Sequence, residues 1–156
     1  DAPVLAAGQS PPAEAADHEF GTDTNDAAAV EGALYALVEA VGARLRRHGR
    51  AARRVTLFLD HTDGVRRTRR RLADPPTAND LLLFDTARSV LSSAWTRRVR
   101  VRRLGLRCDR LVFPPAQLPL FDRNAHTAKE ELIGAVDRIR KRFGPDAIHV
   151  GRTLAA

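Results

Sequence analysis

The chain has one cysteine, no methionine, one tryptophan, one tyrosine, and no lysine or arginine in its first 40 residues. The lone Cys108 excludes an internal disulfide framework and any Cys-based structural zinc site. No apolar run approaches the roughly 20 residues a helix needs to cross a bilayer, so no membrane partner is expected. Without a methionine, the chain reads as a piece of something longer. Glycine-rich phosphate cradles are absent, and His18, His48, His61, His126 and His149 share no metal-ligand spacing.

What is present is lopsided charge. The 156 residues carry a formal net charge of +7, a length that suits one ordinary domain. Eight acidic residues lie within the first 40, and all 26 basic residues follow, 24 of them arginines. Five arginines fall in residues 66–71 and seven in residues 97–110. Such clustering points to a polyanionic partner, nucleic acid being the usual one, against the plainer reading of a solvated basic surface. Seven like charges on one strand repel each other without a counter-anion, which favours phosphate contact.

Residues 1–16, rich in Ala and Pro, read as a linker. His18-Glu19-Phe20 reads as a short strand ending at Gly21. Thr24, Asn25 or Asp26 then caps a helix over 27–48, with Val30, Leu34, Leu37, Val41 and Leu45 at steps of three and four. Val55 to Leu59 reads as a strand, Asp63-Gly64 as a hairpin turn, and Val65 to Leu72 as its return, broken by Pro75-Pro76. Asn79 or Thr77 then caps a second helix that runs to about Trp95. Residues 97–112 alternate as a strand, with a register shift near Arg102-Arg103 of the kind a β-bulge makes. Pro114-Pro115 ends it. A last helix is expected from a Thr127 capping box, through Leu132, Val136, Ile139 and Phe143, to Gly144-Pro145. Ala147 to Val150 reads as a short extended segment.

Arginines on adjacent strands would form one positive sheet face, with helices on the other. The acidic first 40 residues would then lie on the side away from the nucleic acid. Phe58, Phe84, Trp95 and Phe143 fall at apolar helix or strand positions, so no stacking platform is expected among the arginines; this favours backbone contact with a duplex. The nearly uncharged connector holds Gln117, Leu118, Pro119, Leu120 and Phe121. It reads either as a short linear motif filling an apolar pocket on a partner or as a connector tucking Leu118 and Phe121 onto its own core. No catalytic residue or metal site is expected: Asp60 and Asp63 are ordinary turn chemistry beside His61, and Cys108 occupies an apolar strand position.

Together these stretches resemble the C-terminal part of bacterial Y-family translesion DNA polymerases of the DNA polymerase IV type: the little finger domain and its tail. The resemblance rests on residues 18–26 (HEFGTDTND), the hairpin ending Thr68-Arg69-Arg70-Arg71-Leu72, the strand over 101–107 (VRRLGLR), the QLPLF motif over 117–121, and residues 142–148 (RFGPDAI). It implies an α+β fold of β-α-β-β-α-β order, with a four-stranded sheet backed by two helices and a C-terminal helical tail. It divides the chain into a linker (1–16), a DNA-binding little finger (17–113), a clamp-binding connector (114–124) and a tail (125–156).

By that resemblance Arg66, Arg67, Thr68, Arg69, Arg70, Arg100, Arg102, Arg103 and Arg107 would face duplex or template-primer DNA. Gln117, Leu118, Pro119, Leu120 and Phe121 would bind the replication sliding clamp. The family's catalytic carboxylates and their Mg belong to a palm domain outside this stretch, so the chain alone implies no cofactor and no polymerisation. A monomer in the cytoplasm, associated with the nucleoid, is expected. The resemblance also admits a catalytically inactive relative acting as a clamp-bound adaptor. A free-standing basic nucleic-acid-binding protein is the remaining alternative.

Overall fold

The structure, a computed structural model, describes residues 12–113 and 123–151. Its elements are β1 (Ala13–Thr24), α1 (Ala27–Arg47), β2 (Ala52–His61), β3 (Arg66–Thr77), α2 (Asp80–Ala94), β4 (Val101–Asp109) and α3 (Arg123–Phe143). The four strands form one antiparallel sheet in the order β1-β4-β2-β3. The α+β arrangement expected from the sequence is therefore the one observed.

Local chemistry accounts for the boundaries. Asp26 caps α1 by accepting from the Ala28 amide at 3.1 Å, and Arg44, Arg46 and Arg47 in its last turn suit the negative end of the helix dipole. Asn79 caps α2, its side-chain oxygen accepting from the Leu81 and Leu82 amides at 2.9 and 3.3 Å. Between β2 and β3, Gly64 sits at φ +83°, a conformation that favours glycine, and Asp63 accepts from the Val65 amide.

The core lies between one sheet face and the two helices. Val55, Leu57 and Leu59 of β2 and Leu104, Leu106 and Cys108 of β4 meet Leu34, Val38, Val41 and Leu45 of α1 and Leu83, Phe84 and Leu91 of α2, all buried. Burying each large side chain stabilises the fold by roughly 1.5–3 kcal/mol. Tyr35 and Phe84 meet edge to face, centroids 5.0 Å apart, and fasten α1 to α2.

Three boundaries differ from expectation. The lead-in ends at residue 12, because β1 begins at Ala13 and pairs from there with Asp109, Cys108, Arg107 and Leu106 of β4. Alanine is a weak strand former, and the waiting β4 edge overrides that preference. β3 continues through Pro75 and Pro76 to Thr77; it is an edge strand, where a missing N–H breaks no inner ladder. The third helix starts at Arg123, so Thr127 lies inside it rather than at its cap. Residues 148–150 adopt no regular structure, and the Ile148 carbonyl accepts from Arg140.

α3 is tied to α1 and α2 largely through charge. Arg46 forks onto Asp137 at 2.6 and 2.9 Å, and its Nη1 donates to Asp80 and to the Ala78 carbonyl. Arg140 pairs with Glu39, and Lys129 approaches Asp85 at 3.8 Å. Ile133 is the buried apolar residue among the described side chains of this helix. Leu132, Ile139 and Phe143, apolar positions of this helix, are exposed. Among the described residues, no helix is long and apolar enough to cross a membrane.

Candidate nucleic-acid interface

With α1 and α2 covering one sheet face, no described element covers the other. Strand alternation and register arrange its side chains in rows across the four strands. One row holds Ala15, Arg107, Thr56 and Arg70; the next Asp17, Gly105, Phe58 and Thr68; the third Glu19, Arg103, Asp60 and Arg66. At the near end, Asp109 lies between Ala13 and Arg54, with Leu72 beyond. Gly105 leaves room beside Phe58, where a cavity of about 260 Å³ opens, lined also by Asp17, Arg66 and Arg103.

Arginine forks dominate this face, and most are engaged. Arg66 donates Nε and Nη2 to the two oxygens of Asp60 at 2.6 and 2.8 Å. Arg103 donates the same two groups to one oxygen of Asp17 at 2.9 and 2.6 Å. Arg54 forks onto Asp109 at 2.7 and 2.5 Å, and Arg107 lies 3.7 Å from that carboxylate. Arg70 forms no ion pair among the described residues. These contacts hold the carboxyls of Asp60 and Asp109 below the usual range, through hydrogen bonds from Arg66 and Arg54 respectively.

The expected site residues separate into groups. Arg66, Thr68, Arg70, Arg103 and Arg107 share the open face. Arg67 and Arg69 alternate onto the helix-side row of the edge strand, with Arg71, whose Nη1 donates to Ser89 of α2 at 2.6 Å. Arg102 sits at a bulge, where Asp60 pairs with Arg103 and His61 with Val101, and it reaches Asp23 at 3.4 Å. Arg100 precedes β4, its carbonyl accepting from Thr62. Gln117, Leu118, Pro119, Leu120 and Phe121 lie outside the described residues.

Three expectations are corrected. The crowded arginines do not lack counter-anions: Asp17, Asp23, Asp60, Asp63 and Asp109 pair with Arg103, Arg102, Arg66, Arg97 and Arg54. The acidic N-terminal segment is thus not turned away from the arginines, because β1 lays Asp17 and Glu19 on the open face. Nor is that face free of aromatics, since Phe58 stands on it with the Arg66 guanidinium 5.6 Å from its ring centroid. Period-two alternation carried the signal: with Val55, Leu57 and Leu59 inward, Phe58 and Arg54 must point outward.

The Asp60-His61-Asp63 cluster does not converge. His61 is buried, its Nδ1 3.0 Å from the Val99 carbonyl, whereas Asp60 points to the open face and Asp63 forks with Arg97. The hydrogen bond from Arg97 lowers Asp63 to about 2. Burial pushes the Cys108 thiol up to about 12, which leaves it inert as a nucleophile. Among the described residues, no three His, Cys, Asp or Glu side chains are grouped to hold a metal ion.

Comparison with known proteins places this geometry. Residues 15–120 match the impB/mucB/samB family C-terminal domain, and α3 lies beyond that match. A DNA polymerase IV of Dehalococcoides mccartyi is 30% identical over 135 residues, covering 86% of this chain and 34% of its own length. That of Caulobacter vibrioides is 33% identical over 141 residues, covering 89% and 34%. The chain thus spans about a third of the length of these curated relatives. Among solved structures, the little finger domain of PolIV, in a complex with the beta-clamp processivity factor, has a TM-score of 0.53 at 20% identity, covering 70% of this chain and 96% of that one. The insertion ternary complex of Dbh DNA polymerase gives 0.54 at 14% identity, covering 66% and 29%. At such identities the likeness is one of fold. Through residues 15–120 the chain belongs to the impB/mucB/samB family C-terminal domain, and its fold is that of the PolIV little finger domain.

Proposed function

We propose that this chain is the DNA-holding and sliding-clamp-binding module of an error-prone translesion DNA polymerase. The observation that carries the DNA reading is the uncovered sheet face bearing Arg54, Arg66, Arg70, Arg103 and Arg107, with Thr68 beside them. Guanidinium forks suit phosphate oxygens, and the face presents no asparagine or glutamine for reading base edges. The grip is therefore on the backbone of a duplex and indifferent to its sequence. Phe58, enclosed between Gly105 and Arg66, is one ring rather than the succession of platforms that single strands need.

Clamp binding rests on Gln117, Leu118, Pro119, Leu120 and Phe121, in the stretch of chain between β4 and α3. Leucine and phenylalanine side chains fill an apolar pocket on the clamp while the Gln117 amide fixes orientation. Work on DNA places the parent at the nucleoid. Its catalysis, with Mg, would reside in the part of the relatives that this chain does not span.

The test is a pair of titrations of the full chain. Binding to the replication clamp is expected at about micromolar affinity, as short motifs of small area give. Leu120→Ala with Phe121→Ala should abolish it, and an unchanged affinity would refute the clamp reading. Duplex affinity should fall steeply with salt. A salt-independent affinity would refute phosphate contact.

A further inference from the structure

We infer that Asp17 and Asp60 are built-in competitors of the DNA backbone: they occupy the guanidinium edges of Arg103 and Arg66 and set the grip of the open face below what its arginines could deliver. The inference rests on the proposed DNA reading and adds a determinant of affinity to it.

The argument begins with which edge is occupied. Arg66 and Arg103 each use Nε and Nη2 toward their aspartate, the fork by which an arginine takes a phosphate. A carboxylate here stands where a phosphate would stand. The row of Glu19, Arg103, Asp60 and Arg66 consequently alternates in sign and sums to zero, whereas the row of Ala15, Arg107, Thr56 and Arg70 has no carboxylate of its own, Arg107 only sharing Asp109 with Arg54 at 3.7 Å. The face is thus graded, positive along the row of Arg107 and Arg70 and neutralised along the row of Arg103 and Arg66.

The third pair differs in kind. Asp109 is 4% exposed and lies beneath Arg54, so it belongs to the framework. The pairs of Arg103 with Asp17 and Arg66 with Asp60 join side chains 46%/53% and 56%/24% exposed. Solvent-exposed pairs are weakly held, so a phosphate can exchange with these carboxylates, or bind beside them against their charge. Either way, a neutral pair contributes less counterion release than a free arginine.

The experiment is fluorescence anisotropy of the full chain on a labelled 20-base-pair duplex, from 50 to 300 mM NaCl, for wild type, Asp17→Asn, Asp60→Asn and the double variant. Asparagine keeps the shape and one acceptor while removing the charge. Each single variant should bind about eightfold tighter at 0.1 M salt and steepen the log–log salt slope by about 0.9, the double variant by about 1.8. Glu31→Gln raises the net charge equally but acts on the helix layer, where Glu31 pairs with Arg88. It should leave the slope unchanged. Folded Asp→Asn variants with wild-type or weaker affinity overturn the inference, as does an equal gain from Glu31→Gln, which would make the effect one of net charge. Failure of wild type and every variant to bind duplex would instead remove the DNA reading beneath it.

Discussion

Replacing Gly42 by alanine sets two ordinary effects against each other, and the structure decides the sign. In a helix interior alanine is favoured over glycine by roughly 0.5–1 kcal/mol. Gly42, however, faces the junction of three helices. A Cβ there would lie 2.1 Å from Asp80 Oδ1, 2.9 Å from Arg46 Nη1 and 3.3 Å from Asp80 Cγ. Asp80 has little room to retreat, its side chain being 2% exposed and bonded to Arg46 at 2.6 Å. Overpacking of this kind costs about 1–3 kcal/mol, and disturbing a charge-assisted hydrogen bond about 1.5–3. The net expectation is a destabilisation of about 2–4 kcal/mol, or a melting temperature lower by roughly 5–15 °C for a chain of this size. Urea unfolding followed by circular dichroism measures it, with the midpoint falling at constant m. Asp80→Ala makes room for the new methyl, so the penalty should shrink in that background, a coupling the double-mutant cycle reads directly. A Gly42→Ala midpoint equal to or above that of wild type would refute the reasoning.

Two other outcomes follow from the geometry. Arg70→Ala should weaken duplex binding and flatten the salt slope by about 0.9, whereas Arg69→Ala, on the helix-side row, should change it less; equal effects in an anisotropy titration would show that the two rows are not distinguished. Burial raises Asp80 to about 6, despite the hydrogen bond from Arg46, so its contribution to stability is full below about pH 4 and is lost as pH rises through 6. Asp60, Asp63 and Asp109 are lowered and act in the opposite sense, their contributions present above about pH 4 and lost as pH falls further. Stability measured by urea unfolding should therefore peak near about pH 4 and decline from there to 6, and Asp80→Asn should flatten that falling limb.

Much of the fold was legible because its signals are local. The steps from Val30 to Leu45, the caps at Asp26 and Asn79, and the Asp63-Gly64 turn all lie within a few residues of what they determine. The bulge at Arg102 was readable from the break between Val101 and Leu104, whose apolar spacing no flat strand accommodates. What escaped depends on partners distant in the chain. Ala13 to Ala16 carries no strand preference and is recruited by β4. The stripe of Leu132, Ile139 and Phe143 was visible as a pattern, but which face of α3 turns inward is decided by Asp137 and Arg140 meeting Arg46 and Glu39. The arginines of the open face were legible as a cluster, yet their neutralisation was not, because Asp17 and Arg103 stand 86 residues apart.

That separation has a consequence for how the protein is made. The central strand β4 is the last of the sheet to leave the ribosome, and within the sheet β1 pairs with β4 alone. At about 5–20 residues per second, roughly 4 to 17 seconds pass between synthesis of Asp17 and of Arg103. During that interval β2 and β3 can close as a hairpin while β1 has no ladder to join, and the edge of β2 that β4 will cover stands bare. The negative charges of Glu14, Asp17, Glu19 and Asp23 keep the waiting strand from pairing with its like on a neighbouring nascent chain. Carboxylates that later restrain the arginines thus first serve as protection against aggregation.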